Sequence, residues 1–236
     1  MKQTIQRIGC LRPPMPWHKP RVADSANGDN VILLHGLWRS LWAMDPMARY
    51  LNSEGYRTIN IPYPSFRKDI SALMEQVLQE IEQHTDPAQP IHFVTHSLGG
   101  ILTRHLLSSI PNDRLGCLVM LAPPNRGSEI VDWLENHPAL LALLGPSGKR
   151  LARKQLNIPP LDSHLASAVI MGDRHPIPFF QKLLDEKNDG IVSVRDGRLD
   201  GLTCFEVVHS DHTMIASDPN VMQMTLNFLR SGQTSP

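Results

Sequence analysis

Short runs of branched apolar residues recur along this chain, and each is followed by a segment with helical spacing. Val31-Ile32-Leu33-Leu34 is the first of them, and it ends in His35-Gly36. Strand side chains alternate between two faces, so an unbroken apolar run belongs to a strand buried on both. The same pattern predicts strands at Arg57–Ile61, Ile91–Thr95, Leu115–Ala122, Ser167–Met171 and Thr203–Val208. Between them, Trp42–Asn52 repeats Met44, Met47, Ala48 and Leu51 at helical spacing. A longer helix, capped by Asp69, carries Ile70, Leu73, Met74, Val77, Leu78 and Ile81. Ser97–Ile110 and Val221–Leu229 complete the helical set, the former ended by Pro111. Strands alternating with helices predict a three-layer α/β sandwich: a mostly parallel sheet of about six strands with helices on both faces.

The rhythm fails in two places. Residues 1–30 are Pro-rich and without period, with a turn at Ala26-Asn27-Gly28-Asp29 and room for a short strand at Lys19–Ala23. Residues 31–236 read as one domain. Within it, residues 125–165 place about 40 residues between two strands, against an ordinary crossover of about 10–15. This stretch is expected to form a small helical cap, the alternative being a longer surface excursion with no part in binding. Its apolar residues, Trp133 and Leu140 to Leu144, either line a pocket or form the cap's own core.

Charge excludes one function class. Lys plus Arg is 23 and Asp plus Glu is 23, so there is no basic excess to attract nucleic acid. The longest apolar run, Ala139 to Gly145, is far below the ~18 residues of a membrane span. The N-terminal stretch has no apolar core of the kind a signal peptide needs. Cys10 follows Ile8-Gly9, as in a bacterial lipidation box, but Arg7 and the missing apolar core oppose that reading. Cys10, Cys117 and Cys204 are odd in number and isolated, which predicts reduced thiols and a cytoplasmic setting.

The sharpest chemical signal is Thr95-His96-Ser97-Leu98-Gly99-Gly100, between an apolar strand and a helix. A Ser in such a turn projects its hydroxyl towards the helix N-terminus, where free N–H groups favour negative charge. Gly99 supplies the small residue that close strand–helix packing needs, whereas Thr95 departs from the G-x-S-x-G pattern. The bland alternative is a Ser that only caps its helix. His35-Gly36-Leu37 ends the first buried strand, and the N–H groups of Leu37 and Leu98 are the candidate oxyanion donors; His35 itself reads as a turn histidine. A carboxylate and a base must follow in chain order. Asp189, in Asn188-Asp189-Gly190-Ile191-Val192, is preferred over Asp173, while Asp185 and Asp196 read as solvated. His212 is preferred over His209. His209, Asp211 and His212 lack a third metal ligand at recognisable spacing. The other histidines, His96 among them, read as surface or core fillers.

The strings VILLHGL, THSLGG, LAPPNRGSE, NDGIVSV and HTMI, in this order, resemble the α/β-hydrolase superfamily, and within it the small bacterial lipase/esterase group. The resemblance spans roughly residues 30–230. Ala122-Pro123-Pro124-Asn125-Arg126-Gly127-Ser128 is similar to the family's TPHRGS segment, with Asn125 in place of its His. The resemblance implies that Ser97 is a nucleophile, Asp189 the acid, His212 the base, and that no cofactor or metal is required. It implies a small-molecule or lipid ester as substrate and identifies no protein partner. Thioesterases and acyltransferases share the same constellation, and a non-catalytic binding scaffold is a further alternative.

Overall fold

The computed structural model describes residues 19–25, 28–162, 164–176, 180, 182–184 and 187–231. Cys10, Asp185 and part of the turn at residues 26–29 lie outside them. Seven strands form one sheet: β1 (Arg21–Ala23), β2 (Asn30–Leu34), β3 (Arg57–Ile61), β4 (Ile91–His96), β5 (Leu115–Leu121), β6 (Ser167–Gly172) and β7 (Cys204–Val208), in the order β1-β3-β2-β4-β5-β6-β7. All neighbours are parallel except β1, which lies antiparallel to β3 with Val22 opposite Ile59. The six strands expected from residue 31 onwards are thus joined by β1, which falls within the short strand the sequence allows at Lys19–Ala23. Arg21 holds this edge strand, pairing with Asp45 at 2.6 Å and lying 3.7 Å above the Trp42 ring.

The helices are α1 (Asp45–Ser53), α2 (Ile70–His84), α3 (Leu98–Leu106), α4 (Glu129–Leu134), α5 (Pro138–Leu143), α6 (Gly145–Lys149), α7 (Val194–Gly197) and α8 (Pro219–Ser231). The unbroken apolar runs are explained by what covers each face. Ile32, Leu34, Ile59, Ile61 and Phe93 pack with Leu73, Val77 and Ile81 of α2 and Leu102 and Leu106 of α3. Val31, Leu33, Val94 and Val119 point the other way, to Met47 and Leu51 of α1 and Val221 and Phe228 of α8. Burying such side chains stabilises by about 1.5–3 kcal/mol each, so both faces contribute. α1 begins later than its apolar spacing suggests because Pro46 favours the first helical turn. Asp69 caps α2 by accepting the Ala72 N–H at 2.9 Å.

Between β5 and β6 the chain makes three short helices, α4 to α6. Val131, Leu151 and Ala152 of this segment pack against Leu98 and Ile101 at the start of α3, with Leu37 and Leu144 at the margin. Gly145 sits at φ 70°, and a Cβ there would collide with the Phe66 carbonyl. Among the described residues, no helix is long and apolar enough to cross a membrane. The strand order reverses about β2, with β3 on one side and β4 on the other. Parallel sheets open a crevice at such a point, outside the carboxyl ends of the strands. Leu37 follows β2 and Ser97 follows β4, so both stand at this crevice.

Candidate active site

Ser97 joins β4 to α3 at φ 53° and ψ −121°, a conformation that side chains other than glycine rarely adopt. Its cost is about 1–3 kcal/mol, and it persists only where the surroundings enforce it. Here the Ser97 N–H donates to the Leu121 carbonyl at 2.9 Å, and the Ser97 carbonyl accepts the Gly100 N–H at 2.9 Å. The side chain makes no capping bond to its helix, so the plain cap reading does not describe it. A Cβ at Gly99 would stand 2.6 Å from the Leu34 carbonyl oxygen, which is why this position must be small. Thr95 finds its room in the core, fully buried, with Oγ1 3.4 Å from the Val119 carbonyl.

The structure brings Ser97, His212 and Asp189 together from three loops. Ser97 Oγ and His212 Nε2 are 3.0 Å apart, and His212 Nδ1 lies 2.7 Å from Asp189 Oδ2. A carboxylate only accepts, so Nδ1 carries the proton and Nε2 offers a lone pair to the Ser97 hydroxyl. The other Asp189 oxygen accepts the N–H groups of Ile191 at 3.0 Å and Val192 at 2.8 Å. The Asp189 carboxylate is therefore oriented by its own turn, in which Gly190 takes φ 96°. Asp173 and His209, the less favoured acid and base, pair with each other at 3.1 Å on the surface, with the His209 side chain 83% exposed. They do not reach Ser97's partners in this arrangement.

His35 is buried, stacks on Tyr63 at 4.2 Å, donates from Nδ1 to the Gly36 carbonyl at 2.9 Å and accepts the Tyr63 N–H at 3.3 Å. That is the turn histidine the sequence suggests. Leu98 opens α3, so its N–H has no intrahelical carbonyl to bond. Asp196 corrects its sequence reading. It is 3% exposed rather than solvated, and it pairs with Arg153 at 2.6 Å. Burial raises its pKa, and the Arg153 charge opposes that rise. Asn125 donates to the Gly197 carbonyl at 2.8 Å, so this departure from TPHRGS ties two loops together. Among the described residues, no group of three or more His, Cys, Asp or Glu side chains is placed to hold a metal ion.

A cavity of about 340 Å³ opens over Ser97 and His212. Its walls are mainly apolar, from Leu37, Ile130, Val131, Leu134, Leu144, Phe180 and Ile191. The expected lining residues divide. Leu144 faces the cavity, whereas Leu140 and Leu143 are 46% and 61% exposed, and Trp133 stacks on His137 at 4.0 Å. The wall formed by α4 was overlooked from sequence, although Ser128 followed by Ile130, Val131 and Leu134 is a capped amphipathic pattern. Also overlooked was His96. It is buried, its Nε2–H donates to the His212 carbonyl at 2.8 Å, and its ring centroid lies 4.8 Å from that of His212.

The chain belongs to the alpha/beta hydrolase family, whose sequence model matches residues 31–184. It is 26% identical over 137 residues to the lysosomal thioesterase PPT2 of Mus musculus, covering 52% of this chain and 45% of that protein. It is 28% identical over 93 residues to triacylglycerol lipase 2 of Saccharomyces cerevisiae, covering 36% of this chain and 28% of that one. The chain thus spans less than half the length of these curated relatives. Among solved structures, the mature Bacillus licheniformis lipase BlEst2 superposes with a TM-score of 0.68 at 17% identity, covering 91% of this chain and 98% of that one. This likeness is one of fold.

Burial holds the pKa values of His92, His96 and His105 down, with clear consequences for acid stability. Desolvation lowers His92, against the pull of Asp29, and places His96 well below 6.5, with the charges of His212 and Arg39 adding to it. The unfolded chain binds these protons near pH 6.5 and the folded chain does not. Stability is therefore fully present above about pH 6.5 and is lost as pH falls below it, by up to about 1.4 kcal/mol per pH unit for each of His92 and His96. Urea unfolding at pH 7.5, 6.5 and 5.5 checks this: a decline below pH 6.5 is expected, and equal stability at all three contradicts it.

Proposed function

We propose that the protein is a serine hydrolase that cleaves carboxylic esters through a covalent acyl-Ser97 intermediate. The observation that carries this reading is the unbroken hydrogen-bonded chain from Asp189 through His212 to Ser97 at the floor of an apolar cavity. His212 Nε2 takes the Ser97 proton as Oγ attacks the ester carbonyl carbon. The carbonyl oxygen gathers negative charge and is held by the N–H groups of Leu37 and Leu98. Asp189 keeps the proton on Nδ1 and stabilises the imidazolium. The imidazolium gives its proton to the departing alcohol, leaving Ser97 acylated. A water, activated by the same Nε2, attacks the acyl carbon, and the acid and free Ser97 result.

The acyl group is assigned to the apolar cavity, with residues 125–165 acting as its cap. Leu37, Ile130, Val131 and Leu144 offer apolar contact to an acyl chain, while Arg39, Ser128 and Thr213 are polar members of the same lining. Trp38, 47% exposed, adds a further apolar surface to the cavity wall. A thioester substrate is the second reading, favoured by the thioesterase among the curated relatives. A small-molecule or lipid ester fits either, with no nucleic acid or cofactor involved. Cys117 and Cys204 are not joined in a disulfide among the described residues, and a cytoplasmic setting belongs to this proposal.

Kinetics on p-nitrophenyl esters test the roles. Ser97→Ala is expected to abolish turnover at an unchanged Tm, and activity within tenfold of the parent contradicts the assignment. His212→Ala should lower kcat by about 10⁴-fold, whereas His209→Ala should lower it far less. Asp189→Ala and Asp173→Ala form the matching pair for the acid. If the His209 or Asp173 variant is the inactive one, base or acid has been misassigned.

Chain length tests the pocket. Burial of a methylene is worth about 0.8 kcal/mol, so kcat/KM should rise about fourfold per added CH₂ until the cavity is full. Leu144→Gln should flatten that slope while sparing acetyl esters. The exposed Leu140→Gln should leave the slope intact. A parent profile flat from two to eight carbons removes the acyl-pocket assignment. Parallel assays on acyl thioesters separate the two substrate classes.

A further inference from the structure

His212 sits in a loop between β7 and α8, before a short 3₁₀ turn at Ile215–Ser217. Neither strand nor helix fixes its backbone, yet its ring must meet Ser97 Oγ on one side and Asp189 on the other. Part of the loop is ordered from within. Asp211 Oδ1 accepts the N–H groups of Thr213 and Met214, each at 3.1 Å. These bonds shape the turn but do not tie it to the elbow at Ser97.

Two other bonds do tie it down. The His212 N–H donates to the Asp189 carbonyl at 3.0 Å, and the His212 carbonyl accepts Nε2–H of His96 at 2.8 Å. Both backbone polar groups of His212 are therefore held by residues at the two ends of the proposed triad. One is Asp189 itself, and the other is the immediate neighbour of Ser97. We propose that His96 is a positioning residue, which sets the reach of His212 to Ser97 by gripping the His212 main chain. This rests on the serine-hydrolase reading above, and it concerns what aligns the base rather than what reacts.

The surroundings suit a rigid, uncharged donor. His96 is 2% exposed, and Gly36 passes so close that a Cβ there would lie 2.9 Å from His96 Nδ1 and 3.0 Å from Ser97 Cβ. The ring is thus packed closely against the loop after β2 that carries Leu37. The groups facing it are His212 from the loop after β7, and Arg39 and His35 from the loop after β2. Their charges add to burial in keeping His96 neutral, against the opposing pull of the bond to the His212 carbonyl. A neutral neighbour does not repel the positive charge that His212 acquires during turnover. A single tautomer meets these needs: Nε2 carries the proton and donates, while buried Nδ1 keeps its lone pair.

A purely structural histidine would only satisfy a buried carbonyl. Its loss would lower Tm without a selective effect on kcat. Substitution distinguishes the two roles. A glutamine amide can place its nitrogen near the position of His Nε2, whereas leucine has no donor. In assays on a short p-nitrophenyl ester, His96→Leu is expected to lose about 10²-fold in kcat, the scale of an ångström-level misplacement, with KM within about threefold. His96→Gln should recover kcat to within about tenfold of the parent. A second readout is independent of turnover: the low-field proton resonance of His212 Nδ1–H. It should be retained in His96→Gln and shifted or broadened in His96→Leu. If the leucine variant melts early, His96→Asn replaces it, because its amide is too short to reach the carbonyl.

The proposal is overturned if a folded donor-free variant keeps the parent kcat and resonance. It is also overturned if the glutamine variant, folded, falls as far as the donor-free one. If the parent hydrolyses neither ester nor thioester, the serine-hydrolase reading fails, and the resonance alone decides whether His96 positions the His212 ring.

Discussion

The abrupt turn from β4 into α3 is the constraint on which the remaining structure depends. The helix starts so close to the end of β2 that Gly99 touches the Leu34 backbone, and no side chain fits between them. A strand delivered to the sheet plane and a helix packed directly on it leave one residue to absorb the change of direction. Ser97 does so at φ 53°. The strain is offset by the bond from its N–H to Leu121 and by the buried Leu98 and Ile101 just beyond it. A hydroxyl held this way stands clear of its own backbone, at the crevice where the strand order reverses. His212 and Asp189 are then delivered to a fixed point.

Their delivery depends on polar bonds rather than on regular structure. The Asp189 carboxylate is locked by the N–H groups of Ile191 and Val192, and its carbonyl in turn holds His212. The residues just after this turn are tied to the β5–β6 segment by ion pairs. Arg153 meets Asp196 at 2.6 Å and Glu129 at 3.3 Å, while Arg195 meets Glu129 at 2.8 Å. The helices that wall the cavity and the turn that carries Asp189 are thereby joined. A change in one would be felt by the other. Exposed ion pairs contribute little, but Asp196 is buried, and removing Arg153 would leave its carboxylate only the longer contact to Arg195 at 3.7 Å.

Much of this was legible in the sequence because it follows from short-range rules. Strands buried on both faces announce themselves as unbroken apolar runs, as at Val31–Leu34. The elbow announces itself as a Ser between such a run and a helix, with Gly99 two residues on. What was not legible depended on distant contacts. The short strand at Lys19–Ala23 is legible, but its place at the sheet edge is not, because that comes from β1 pairing with β3 and from Arg21 reaching Asp45. Asp196 looks like any loop carboxylate until Arg153, 43 residues away, folds back onto it. His96 looks like a filler because its partner is a main-chain carbonyl 116 residues further along. In the same way, nothing in Leu140 and Leu144 themselves says that one faces solvent and the other the cavity. That follows from how the short helices α5 and α6 lie over α3.

The central claim is that Ser97 is a nucleophile made reactive by His212. Incubation with a fluorophosphonate, followed by intact-mass and peptide mass spectrometry, addresses it most directly, because the reagent captures only an activated hydroxyl. One adduct per chain is predicted, on the peptide containing Ser97, forming far more slowly in His212→Ala at equal folding. A folded protein that takes up no adduct, or takes it up at another residue, contradicts the claim.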